Sequence, residues 1–166
     1  MKTNLVDLMS RVSQLESEYS DMEYTLRSQS MNIRIIELDG KSQMLEEYPD
    51  FEDDFEEFCE LGDEITRLKG IIFEKNNSLM LKNGDTIQKT LVDIKNKRKQ
   101  LELVKQLAKQ TPSKRRTSET NNSYFTSKEL AYDKDKMDNL QEKLTKEILN
   151  LEFEISQLNS IMFEID

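Results

Sequence analysis

The side chains able to do chemistry in this chain are carboxylates, hydroxyls that can accept phosphate, and one thiol; there is no histidine. That absence removes the commonest general base and the commonest metal ligand together. Cys59 is the single cysteine. It can form no internal disulfide, and no imidazole stands by to draw off its proton. Beside Phe58 and Leu61 it reads as a small, buried or half-buried apolar residue. A lone free thiol suits an intracellular protein. Carboxylates are plentiful, but a solvated acidic run is not a catalytic dyad, which needs shifted proton affinities in a water-excluding cleft. Asp50, Asp53 and Asp54 lack the glycine and closing glutamate that a calcium loop requires at fixed offsets. There is no glycine-rich phosphate loop and no nucleophile elbow. The expectation is a protein that is not an enzyme, with no catalytic residue, metal, cofactor or small-molecule substrate.

The short motifs with the most chemical content concern regulation. Thr111-Pro112-Ser113-Lys114 matches the S/T-P-x-K/R pattern of proline-directed, cyclin-dependent kinases, and Arg115-Arg116-Thr117-Ser118 matches the R-R-x-S pattern of basophilic kinases. Thr111 and Ser118 are therefore the expected phosphosites. A phosphate at either adds about −1.5 to −2 charges, which would weaken contacts between this basic stretch and an acidic surface. Lys114, Arg115 and Arg116 also form an import-like basic patch. All these motifs fall in residues 111–127, a Thr/Ser/Asn/Lys/Arg-rich stretch without apolar period that reads as a disordered linker.

The elements around the linker read as helices. Leu5, Leu8, Val12, Leu15, Tyr19, Met22 and Leu26 step by threes and fours, as do Leu144, Ile148, Leu151, Ile155, Leu158 and Met162. A 3.5-residue period keeps one seam facing a partner helix. These two stripes are the expected partner seams, and the partners are other coiled-coil proteins, in homo- or hetero-oligomers. The fold class expected is all-α: an elongated coiled-coil and helical-hairpin protein with no compact globular domain. Its pieces are an N-terminal helix over 1–48, an acidic helix followed by a basic helix over 49–110, the linker, and a C-terminal helix over 128–166. Asn4 is placed to cap the first helix. Met31, Ile35 and Leu38 form a second apolar face on it, with Gly40 weakening it. Asn83-Gly84 breaks the middle region, as a turn between antiparallel helices or a bend in one rod. Thr126 and Glu129 look like a capping box for the last helix, whose second apolar face is Leu149, Phe153 and Phe163.

Composition agrees with charged helices and narrow apolar seams: 34% charged and 36% hydrophobic residues, four glycines, two prolines, no tryptophan. The net charge of −9 is unevenly spread. Residues 42–66 hold eleven acidic and no basic side chains; residues 82–116 hold eleven basic and three acidic ones. The two blocks could be solvated faces, could attract each other across a turn at Asn83-Gly84, or could serve partners. Phe51, Phe55 and Phe58 within the acidic block form an expected docking surface for a basic partner. No aromatic residue interleaves with the basic run in sequence, which weighs against nucleic acid as a partner.

No secretory pattern opens the chain, and no stretch approaches the roughly 20 apolar residues of a membrane span. No membrane insertion is expected. In composition and architecture the chain resembles small coiled-coil subunits of kinetochores, spindle poles and meiotic chromosome axes. That resemblance implies a structural scaffold subunit of chromosome or cell-division machinery, intracellular and nuclear rather than cytoplasmic. The alternatives are a cytoplasmic tethering or trafficking adaptor, and a nucleic-acid-binding coiled coil using 82–116.

Overall fold

The computed structural model describes residues 2–120 and 122–165. Among these residues the chain forms four helices and three two-stranded antiparallel sheets. This corrects the all-α coiled coil expected from the heptads: the fold is mixed, and two stretches assigned to a long helix and a disordered linker are β-hairpins. The chain divides into two compact units, residues 1–78 with 159–166, and residues 79–158.

In the first unit, β1 (Lys2–Thr3) leads into α1 (Leu5–Ser28). Asn4 caps this helix, its Oδ1 accepting from the Asp7 backbone N–H at 2.9 Å. The helix ends in a polar run at Ser28, well short of the expected 48. Beyond it the chain forms a hairpin, β2 (Ile33–Ile36) and β3 (Ser42–Glu46). The local chemistry explains the change. Ile33, Ile35 and Ile36 are β-branched and favour extended backbone. Asp39-Gly40 is a hairpin turn signal, and Gly40 sits at φ +87°, a conformation that disfavours any side chain. The Lys41 N–H bonds the Asp39 carboxylate at 3.1 Å and the Glu37 N–H bonds the Lys41 carbonyl at 2.7 Å, closing the turn.

Helix α2 (Phe51–Ser78) begins just after Pro49, with Glu52, Asp53 and Asp54 in its first turn, where the helix dipole favours negative charge. It packs on α1. The core of this unit is Leu8, Val12 and Leu15 against Ile65, Leu68 and Ile165. Each such side chain contributes about 1.5–3 kcal/mol on burial. A short C-terminal strand, Phe163–Glu164, returns to pair with β1, Thr3 opposite Phe163, which brings Ile165 into that core.

In the second unit, a turn at Asn83-Gly84, with Gly84 at φ +83°, precedes α3 (Ile87–Ala108). Thr86 caps α3 through its side-chain oxygen, 3.2 Å from the Lys89 N–H. A second hairpin, β4 (Ser113–Glu119) and β5 (Asn122–Lys128), occupies the stretch expected to be disordered. It is seven residue pairs long, from Ser113 opposite Lys128 to Glu119 opposite Asn122. Helix α4 (Lys134–Asn159) starts later than the Thr126–Glu129 box suggested. Its first turn is held instead by Asp133, whose carboxylate accepts from the Asp135 and Lys136 N–H groups. Helices α3 and α4 run antiparallel, as their bonds show: Tyr132 Oη donates to the Leu107 carbonyl, Lys97 pairs with Glu147, and the Lys82 N–H reaches Glu154.

Candidate functional site

The residues of the N-terminal stripe lie inside the first unit. Leu5, Leu8, Val12, Leu15 and Leu26 are buried; Tyr19 and Met22 are half-buried. Much of the seam is thus covered by α2 and Ile165 of the same chain. In the second unit Leu144, Ile148 and Ile155 are buried and Leu151 and Leu158 half-buried, while Met162, in the first unit, is exposed. The period is real; the surface that fills it comes largely from the chain itself.

The phenylalanine cluster is split in its roles. Phe58 stacks on Tyr19 with ring centroids 4.1 Å apart, fastening α2 to α1. Phe51 is half-buried. Phe55 lies 6.2 Å from Phe58 and is 51% exposed. Between the two helices runs an open groove lined by the apolar Leu15, Met22 and Leu61, by four carboxylates, Glu18, Glu57, Glu60 and Glu64, and by one cation, Arg11. Glu64 is held below the usual carboxylate range chiefly by its hydrogen bonds from Arg67, one turn away. Cys59 is exposed, which corrects the expectation that it is buried or half-buried.

The basic residues of α3 do not remain an unbroken cationic face. Lys97 bonds Glu147 at 2.9 Å and Arg98 bonds Glu152 at 2.5 Å, both on α4. The Lys97–Glu147 hydrogen bond raises the lysine's proton affinity and lowers that of the glutamate. The acidic–basic attraction within this unit is therefore between α3 and α4.

Two surfaces escape sequence reasoning. The first is β2–β3, where Met31, Ile33, Ile35, Ile36, Leu38 and Leu45 are all exposed, Ile36 to 71%. The helical spacing of these residues disguises them; Asp39-Gly40 is the signal that could have revealed a hairpin. The second is β4–β5. Strand pairing places Arg116 opposite Phe125 and Thr117 opposite Tyr124, so aromatics absent from the basic run in sequence stand beside it in space. Lys114 Nζ lies 5.0 Å from the centre of the Phe125 ring. Both phosphosite candidates are exposed: Thr111 in the short connection before β4, Ser118 within β4 opposite Ser123. Lys114, Arg115 and Arg116 are likewise exposed, but in a paired strand.

Charge sorts by unit. The first unit's sequence carries 21 Asp and Glu against 8 Lys and Arg, the second 12 against 16. These nets of −13 and +4 together make the −9 of the chain. Among the described residues no group of three acidic or cysteine side chains is placed to hold a metal ion, and no helix is long and apolar enough to cross a membrane. No known family model, curated protein or solved structure matches this chain.

Proposed function

We propose that this chain is a non-enzymatic adaptor subunit of a larger intracellular assembly, and that it recruits a protein partner through the β2–β3 hairpin. The observation that carries this reading is that hairpin's exposed apolar surface. A two-stranded ribbon is marginally stable in water on its own. Here both faces carry large apolar side chains: Ile33, Ile35 and Leu45 on one, Ile36 on the other, by the pairing register and the irregularity between Ile33 and Arg34. Large apolar side chains clustered and exposed on one face, as Ile33, Ile35 and Leu45 are, mark an interaction site. The ribbon also has free backbone edges that accept another strand or stay open to aggregation.

The surrounding charge defines the partner. The hairpin belongs to the acidic unit and leads directly into the acidic start of α2. A partner with an apolar strip flanked by lysine and arginine matches it in both respects. The kinase-like motifs at Thr111 and Ser118 and the basic Lys114-Arg115-Arg116 favour a nuclear assembly of the cell-division type.

The test is quantitative capture of tagged protein from its own cells, comparing the native chain with an Ile35→Thr, Ile36→Thr, Leu38→Lys variant. The adaptor reading predicts a stoichiometric protein set with the native chain that the variant loses. A variant that retains the full set would show that the hairpin is not the recruiting surface.

A further inference from the structure

We infer that the β4–β5 hairpin is a binding surface for single-stranded RNA. Residues paired across a β-ladder share a face. One face of this ribbon therefore carries Lys114, Arg116, Ser118, Ser123, Phe125 and Ser127. The other carries Arg115 and Lys128 beside Tyr124. Four of the ribbon's ionisable side chains are cations, and the single carboxylate in its two strands, Glu119, sits at the far end and accepts a hydrogen bond from the Tyr124 hydroxyl at 3.2 Å.

The aromatic rings decide the class of ligand. Phe125 is 63% exposed and Tyr124 is 44% exposed. Hydrophobic burial would hide such rings. A polynucleotide uses them, because an unpaired base stacks on an aromatic face while Lys and Arg hold the flanking phosphates. A duplex offers phosphates but keeps its base faces stacked inside, so it leaves both rings unused. An acidic protein satisfies the cations and can also cover the rings, so competition by an acidic polypeptide is one arm of the test below.

The cations are partly preorganised: Arg116 Nε donates to Ser123 Oγ at 3.0 Å, which orients its guanidinium on this face, while Lys114, 5.0 Å from the centre of the Phe125 ring, covers one side of it and swings to a phosphate when a base stacks there. Hydroxyls complete the surface. Ser118 can donate to and accept from a ribose 2′-hydroxyl, the group that distinguishes RNA from DNA, and Ser123, which accepts from Arg116, can still donate to one; Ser127 instead donates to the Glu129 carboxylate at 3.3 Å. The β4 strand is seven residues, about 24 Å at the usual rise, long enough for several nucleotides.

The chain contains no tryptophan, which gives the test a clean reporter. Full-length protein is titrated with a labelled 20-mer of oligouridylate and followed by anisotropy at low and moderate salt. The expected result is binding that weakens steeply with salt. Phe125→Leu should weaken it roughly tenfold, and Lys114→Ala with Arg116→Ala at least as much. Phe125→Trp should preserve binding and show fluorescence quenching on addition of RNA, because the new ring stacks on a base. All these positions are exposed, so unchanged circular dichroism and thermal midpoint will show that the variants fold. Absence of binding by the native chain would overturn the inference, as would equal affinity for duplex or for oligothymidylate. Insensitivity to the Phe125→Leu change, or displacement of RNA by polyglutamate as effectively as by unlabelled RNA, would overturn it as well.

Discussion

The two longer hairpins are built alike and made of opposite chemistry. β2–β3 is short, apolar and set in the acidic unit; β4–β5 is longer, basic and rich in hydroxyls. Neither contributes a side chain to the buried hydrophobic set, which comes from the helices, Leu81 and Ile165. Strand pairing without burial adds little stability. In both units, helices supply the fold and a ribbon supplies an exposed surface, and the ligand we propose for each ribbon differs with its chemistry.

This division of labour can be broken first at the helices. Leu8 is 2% exposed in the α1–α2 core. Leu8→Ala should cost about 2–5 kcal/mol through lost burial and a residual cavity, read as a lowered midpoint in urea. A loss under about 1 kcal/mol would mean that the α1–α2 core is not what holds the first unit. A smaller effect is expected at the apolar ribbon. Gly40 has open space around it but φ +87°. Gly40→Val should therefore cost about 1–3 kcal/mol through backbone strain alone. That loss should appear as faster amide exchange over residues 33–46, with α1 and α2 protected as before. Equal loosening of the helices would show that the ribbon is part of the core.

The smallest effect concerns the α3–α4 ion pair. Glu147 is depressed by its bond from Lys97, so the stability it adds is present above the usual carboxylate range and lost as pH falls through its lowered value. Lys97 is raised by the same bond, so its contribution is present below the usual lysine range and lost as pH rises through its raised value. Both groups are partly exposed, and the pair is worth about 0–1 kcal/mol. Lys97→Met should lower the thermal midpoint slightly at neutral pH, and the difference from the native chain should shrink in acid. A gap that widens on acidification would contradict the assignment.

Much of the helical scaffold is legible in the amino acids. The stripe from Leu5 to Leu26 and that from Leu144 to Ile155 mark the buried faces, and Asn4 and Asn83-Gly84 mark a start and a break. Periodicity does not carry the identity of whatever fills a seam. A heptad stripe is satisfied equally by another chain or by α2, and only tertiary packing chooses. The hairpins escape a reading along the chain for two different reasons. Ile33 and Ile36 fall at helical spacing, so local β preference and the Asp39-Gly40 turn are outweighed by an apparent continuation of the stripe. Residues 113–128 carry no apolar period, because neither face of that ribbon is buried; an unburied strand looks like a linker. Its pairing of Arg116 with Phe125 is a product of register and is invisible along the chain.

The most direct test of two ribbons with separate ligands is one crosslinked capture experiment that quantifies both protein and RNA. It uses the native chain, the Ile35→Thr, Ile36→Thr, Leu38→Lys variant, and a Lys114→Ala, Arg116→Ala, Phe125→Leu variant. Two ribbons with separate ligands predict a double separation: the first variant loses its proteins and keeps RNA, and the second keeps its proteins and loses RNA. Joint loss of protein and RNA in either variant, or no loss in both, would contradict that division.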